Sequence, residues 1–190
     1  MFRHAIYFCV FVLSFTAAHA QGAAPSKLYI GYGYVSHTLD DEDNVIVASS
    51  LDLTGSEITF GYRISDTLSV EFQRGDLTLG SAEIPFRDST ITVDETDSET
   101  TKLSFLFSAP LAQQDDRRIF FRLGTVEEDA DPIVAQFEGE TISVNVENDS
   151  GRIIGSGVDF DVDRLTLRAE VLNIYENEDF GLSVSAMYNF

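Results

Sequence analysis

Eight stretches of this chain place an apolar side chain at every second position, and beyond residue 20 no stretch repeats at the helical period. "EITFGYRI" sets Ile58, Phe60, Tyr62 and Ile64 against Thr59, Gly61 and Arg63, and "GLSVSAMYNF" sets Leu182, Val184, Ala186, Tyr188 and Phe190 against small or polar neighbours. A period of two turns alternate side chains to opposite faces, so each stretch reads as a β-strand with two different surroundings. The other six are "KLYIGYGYV", "LSVEF", "KLSFLFSA", "RIFFRLG", "IIGSGVDFDV" and "RLTLRAEV".

The connections carry a second regularity. Those after the second, fourth and sixth stretches ("SDT", "PLAQQDDR" and a turn at Asp163) are short, as is the seventh, "ENED". Those after the first, third and fifth run from Ser36 to Ser56, Gly80 to Glu99 and Val126 to Ser150. They hold the acid clusters Asp40 to Asp43, Asp94 to Glu99 and Glu127 to Asp131, with strand-like pieces "NVIVASSLDL", "STITVDE" and "ETISVNVEN". These pieces read as hairpin extensions of the neighbouring strands; a barrel of ten strands rather than eight is the alternative.

Alternation alone suits a sandwich, a soluble lipocalin-like barrel or a membrane barrel. The non-apolar face separates them. It carries Gly31, Gly33, Gly61, Gly155, Gly157, Gly181, Ser69, Ser104, Ser108, Ser183 and Ser185. Such small groups fit the lumen of a narrow cylinder, while the other face, rich in Leu, Val, Phe and Tyr, suits hydrocarbon. Closure also satisfies every backbone donor and acceptor, as lipid requires. The expected fold is therefore all-β: an eight-stranded antiparallel up-and-down transmembrane β-barrel. Its inward face holds charges of both signs: Arg63, Glu71, Lys102, Arg118, Arg122, Asp159, Asp161, Arg168 and Glu170. Ions so enclosed must pair or hold water, which predicts a plugged lumen, with a narrow pore for small solutes or ions as the alternative.

The N-terminus has the layout of a secretory signal: Arg3, an apolar run from Ala5 to about Phe15, then Ala18-His19-Ala20. Two regions follow, a cleaved signal peptide at 1–20 and a barrel domain at 21–190. Removing residues 1–20 leaves 170 of the 190 residues, takes away the lone Cys9 and moves the formal charge from −20 to −21 by loss of Arg3. That sign excludes nucleic acid as a partner.

With "LYIGYGYV", "GVDFDVDRLTLRAEV" and a final strand ending on Tyr188 and Phe190, the chain resembles the small bacterial outer-membrane β-barrels of the OmpA/OmpX type. The resemblance covers residues 21–190 by pattern. It implies the bacterial outer membrane as location, termini in the periplasm, acidic loops outside, a monomer, and a structural or surface-interaction role without catalysis or cofactor. It implies as partners membrane lipid and lipopolysaccharide, and the barrel-assembly machinery, which reads Val184, Ala186, Tyr188 and Phe190; the acidic loops offer charge for contact with divalent cations. The chain departs from the family pattern in having no Trp for an interfacial girdle and a brief last loop; with Phe190 last, no periplasmic domain is expected.

Some barrels of this size modify lipid A, and such an enzyme needs a nucleophile beside a base. His37, the one histidine after the signal, has Ser36 next to it. Adjacent strand residues face opposite ways, so both are expected to be rim residues and no catalytic site is assigned. The acid clusters lack the glycine-turned spacing of a calcium loop, so no metal site is assigned either. Deleting Phe190 should sharply lower the fraction of heat-modifiable barrel recovered in outer membranes while barely moving the urea midpoint of barrels already assembled. An equal loss of both would make Phe190 a packing residue.

Overall fold

The computed structural model describes residues 27–39, 51–86, 89–111, 114–144, 149–175 and 179–190; the signal peptide, the start at Gln21 and the Asp40 to Asp43 cluster lie outside the described residues. Twelve strands and no helix occur among them: β1 (Leu28–Leu39), β2 (Leu51–Arg63), β3 (Leu68–Leu79), β4 (Ala82–Phe86), β5 (Ser89–Val93), β6 (Thr96–Leu111), β7 (Gln114–Ala130), β8 (Ile133–Phe137), β9 (Glu140–Val144), β10 (Asp149–Val162), β11 (Leu165–Tyr175) and β12 (Asp179–Asn189). Eight of them close into one antiparallel barrel in the order β1-β12-β11-β10-β7-β6-β3-β2, as the alternation predicted. The ten-stranded alternative is set aside.

Register fixes the size of the cylinder. Stepping across paired residues from Leu28 through Tyr62, Val70, Phe105, Leu123, Ile154, Asn173 and Phe180 returns to β1 at Thr38, ten residues further on. With the usual strand and residue spacings, eight strands with that stagger tilt by roughly 40° and give a backbone radius of roughly 8 Å. A lumen so narrow is filled by side chains. The seam between β1 and β12 runs from Thr38 opposite Phe180 to Tyr29 opposite Asn189, and the Phe190 N–H donates to the Leu28 carbonyl at 3.2 Å.

Each strand keeps the face assignment that its alternation implies. Large apolar side chains point outward and stay exposed, among them Tyr32, Phe60, Phe105, Phe121, Leu167, Leu182 and Val184. Inward, the crowding is relieved by pairs in which a bulky residue lies over a glycine directly across the ladder. Tyr29 is opposite Gly61, and its ring occupies the space a side chain at Gly61 would need. Phe120 is opposite Gly157, where an added Cβ would meet the Phe120 Cζ at 2.6 Å.

The strands outrun the bilayer-crossing length on one side. β6 has 16 residues and β7 has 17, against 11 each for β11 and β12 elsewhere in the wall. The "PLAQQDDR" stretch, expected as a connection, is largely strand: β6 reaches Leu111 across a bulge at Pro110/Leu111, and β7 begins at Gln114. The expected hairpin extensions are also corrected in part. "STITVDE" and "ETISVNVEN" supply β5 and β9 of a separate four-stranded sheet, β4-β5-β8-β9, built from two different long connections. The physical reason is proximity: β3, β6 and β7 are neighbours in the barrel wall, so the connections leaving them emerge side by side. β8 and β9 turn through Glu138 (φ 50°) and Gly139 (φ 85°), the left-handed pair a two-residue hairpin requires.

At the end of the barrel that bears the long connections, the inward positions become apolar. Val35, Leu53, Leu77 and Leu79 pack into a buried cluster, and Ile133 of β8 packs against it. The Asp94 N–H donates to the Val134 carbonyl at 2.9 Å, tying the end of β5 to β8 above that mouth. Filling the space under a lumen ring should be costly: Gly157→Val is expected to lower unfolding stability by about 1–3 kcal/mol in urea titrations of the refolded barrel, whereas Gly80→Ala, with open space around it, should leave the midpoint unchanged.

Candidate functional site: the charged lumen

Arg122 is the centre of the polar interior. It projects from β7, is fully buried, and donates from Nε to Glu170, from Nη1 to Gln73 Oε1 at 2.8 Å, and from Nη2 to Glu71 Oε2 at 2.8 Å and Glu170 Oε2 at 2.9 Å. A guanidinium suits this place because its planar fork aims several donors at carboxylates on different strands. Glu71 is shared. It also accepts from Arg168 Nη1 at 2.7 Å and from the Tyr29 hydroxyl at 2.6 Å. Arg168 grips Asp159 with two bonds, at 2.8 and 3.0 Å, and its guanidinium lies 4.3 Å from the centre of the Phe120 ring.

The network continues in both directions. Toward the loop end, Gln73 Nε2 donates to Glu57 Oε1 at 2.7 Å, and Lys102 Nζ, fully buried, donates to Glu57 Oε2 at 2.5 Å. Toward the turn end, Arg118 lies 4.0 Å from Asp159 and 2.9 Å from Asp161; Thr166 donates to Asp161, and Asn189 Nδ2 donates to Thr166 Oγ1 at 3.0 Å. Followed from Tyr29 on β1 to Asn189 on β12, one connected set of side chains touches all eight barrel strands.

Of the nine inward charges that alternation singled out, eight lie in this set: Glu71, Lys102, Arg118, Arg122, Asp159, Asp161, Arg168 and Glu170. Arg63 stands apart, half-buried, with its guanidinium 5.4 Å from the centre of the Tyr29 ring. Besides Thr166 and Asn189, three members were not singled out from the sequence: Glu57 is the first residue of "EITFGYRI", Gln73 follows "LSVEF" directly, and Tyr29 sits on the inward face of a strand whose other tyrosines face out. The parity of position 57, shared with Thr59 and Gly61, was the available signal. Within the connected set four cations, Lys102, Arg118, Arg122 and Arg168, meet five carboxylates, Glu57, Glu71, Asp159, Asp161 and Glu170.

His37 is a correction. Expected at the rim, it is buried on the inward face, opposite Gly181, whose absent side chain leaves room for the imidazole. The barrel wall continues past His37 to Leu39, which is why the position is enclosed. Ser36 lies on the opposite face of the same strand, so the two make no dyad. Neither His37 nitrogen has a hydrogen-bond partner, nor do Thr100 Oγ1 and Ser104 Oγ. No group of three or more His, Cys, Asp or Glu suited to a metal ion occurs among the described residues.

Val184, Ala186 and Tyr188 lie on the outward face of β12, and Phe190 follows the strand directly; all four are exposed. The Tyr188 ring meets that of Phe190 edge-on at 5.3 Å, and the Tyr188 hydroxyl accepts from Arg164 Nη1 at 3.1 Å. Above the apolar belt, β3, β6 and β7 carry an outward collar of charge, Arg74, Asp76, Asp97, Glu99, Glu127 and Asp129, all exposed, in which Arg74 meets Glu99 at 2.5 Å. The interior leaves little free space: a cavity at the turn end, bordered by Tyr29, Arg63, Arg118, Asp159 and Arg168, measures about 10 Å³.

Removing one partner from a buried network strands the others without compensation. Arg122→Ala should therefore cost about 3–5 kcal/mol of unfolding stability, against less than about 1 kcal/mol for Arg74→Ala at the exposed collar pair, both measured by urea unfolding of barrels refolded in bilayers.

No protein-family model matches the sequence. No curated protein matches it either. Solved structures do. Ail, the attachment invasion locus protein of Yersinia pestis, superposes with a TM-score of 0.57 at 11% identity over 88% of this chain and 100% of that one. Neisserial surface protein A gives 0.57 at 11% identity, covering 88% and 99%. The N-terminal β-barrel domain of Pseudomonas aeruginosa OprF gives 0.54 at 13%, covering 88% and 100%. At such identities the likeness is one of fold, and the fold is that of the small eight-stranded outer-membrane β-barrels.

Proposed function

We propose that this chain is an integral protein of the bacterial outer membrane, a plugged eight-stranded barrel with a structural or surface-interaction role. One observation carries the reading: the outward faces of the barrel strands form an exposed belt of Ile, Leu, Val, Phe and Tyr, far larger than the apolar patches that water-soluble monomers show. Hydrocarbon is the solvent that suits it, and closure of all eight strands leaves no unpaired barrel edge in lipid. The signal-like N-terminus supports export, and the short turns and termini at one end support their placement in the periplasm, with the acidic connections outside.

A structural role is favoured over conduction by what fills the lumen. Glu71, Lys102 and Arg122 are fully buried across its middle, and the Val35, Leu53, Leu77 and Leu79 cluster closes the loop end. Solutes would have to part ion pairs and then an apolar stopper. Lipid A modification has no geometric support, because Ser36 and His37 lie on opposite sides of the wall. Lipopolysaccharide and divalent cations are the partners that the outer collar of Asp97, Glu99, Glu127 and Asp129 suits by charge.

Two measurements test this together. Fractionated cells should yield the protein in the detergent-extracted outer membrane, with a mobility shift between heated and unheated samples. In planar bilayers the refolded protein should hold baseline conductance. Extraction without detergent would overturn the membrane assignment, and a steady single-channel current would overturn the plug.

A further inference from the structure

The small sheet ends in two edges of opposite character. β4 and β5 are joined by two residues, so the closing pair Phe86 and Ser89 exchanges both ladder bonds. Alternation from there turns the backbone groups of Glu83 and Pro85 to the free side of β4. Pro85 has no N–H, so this edge lacks a donor where an added strand would need one. In β9 the closing pair is Phe137 and Glu140, which turns the backbone groups of Thr141 and Ser143 to the free side. Both can donate. Thr141, Ile142 and Ser143 are exposed, Ile142 to 49%, and among the described residues nothing pairs beyond β9.

Charge decides what fits this open edge. From Val126 to Gly151 the sequence holds eight carboxylates and no Lys or Arg; Glu140 opens β9 and Glu138, which accepts from Ser89, lies in the turn before it, both exposed. A second copy of the chain would bring like charge to like charge, which disfavours self-pairing. The geometry points to β9 as a docking edge for an extended, basic segment of another protein. Such a segment adds a fifth strand to the sheet through the Thr141 and Ser143 backbone, sets a β-branched residue beside Ile142, and places Lys or Arg near Glu138 and Glu140. This rests on the surface-interaction reading above and names the partner's chemistry.

The test uses the full barrel in nanodiscs and a short peptide alternating valine with lysine and threonine. Its control has the same sequence with the backbone N-methylated at alternate residues, so that charge is kept and strand pairing is lost. The unmodified peptide should bind with amide shifts centred on Thr141 and Ser143, and the control at least about tenfold more weakly, as loss of two backbone bonds implies. The double variant Thr141→Pro with Ser143→Pro should weaken the unmodified peptide to a similar degree. Equal binding of both peptides would reduce the edge to a diffuse acidic surface and overturn the proposal. So would amide shifts away from β9, or a concentration-dependent dimer of the free protein. Heat-modifiable mobility, recorded for each variant, reports the barrel separately, so its loss counts against the membrane-barrel reading and not against the edge.

Discussion

A guanidinium at the axis of a narrow cylinder has no water to fall back on, and the fate of Arg122 governs the rest of this molecule. Its carboxylate partners come from β3 and β11, on separate parts of the wall, and they are in place together once the sheet has curled round. Glu71 then hands the same requirement to Arg168, and Arg168 to Asp159 on β10. Buried ion pairs add little net stability over apolar packing, but a mispaired one is severely penalised. The network therefore acts on which closed sheet forms: a slip in register would separate charges that have no other partner. Its four cations and five carboxylates meet these partners together only when their strands are aligned.

The same wall serves two solvents because its two faces obey different limits. Outward positions are constrained in polarity and free in size, so Ile, Leu, Phe and Tyr interchange along the belt. Inward positions are constrained in volume, so Tyr29 lies over Gly61 and Phe120 over Gly157. The extra length of β6 and β7 then raises the long connections clear of the mouth. There β5 and β8 meet, and Ile133 seats the small sheet on the apolar stopper.

Much of this was legible in the sequence, and the part that was not has a common cause. Position 71 or 122 announces its face by parity alone, since its neighbours on the strand are apolar and the bilayer admits one arrangement. Parity also covered Glu57, the first residue of "EITFGYRI", and Gln73, which lies just past "LSVEF". It could not reveal that "STITVDE" and "ETISVNVEN" belong to one sheet. That pairing joins connections more than forty residues apart in sequence (Ile91 with Phe137), and alternation says that a strand has a partner without saying which. His37 was misplaced because the end of β1 lies beyond the apolar belt, where alternation of hydrophobicity fades while the wall continues.

The outward collar on β3, β6 and β7 bears on how such molecules share a surface. In it Arg74 alone stands among five carboxylates, and Asp97, Glu99, Glu127 and Asp129 stand just above the lipid-facing belt. In a bilayer, two barrels turning these sides toward each other meet like charge across a gap that salt screens only beyond about 8 Å. Lateral crowding is then directional. The repulsion weakens as ionic strength rises, so close approach of these sides depends on salt.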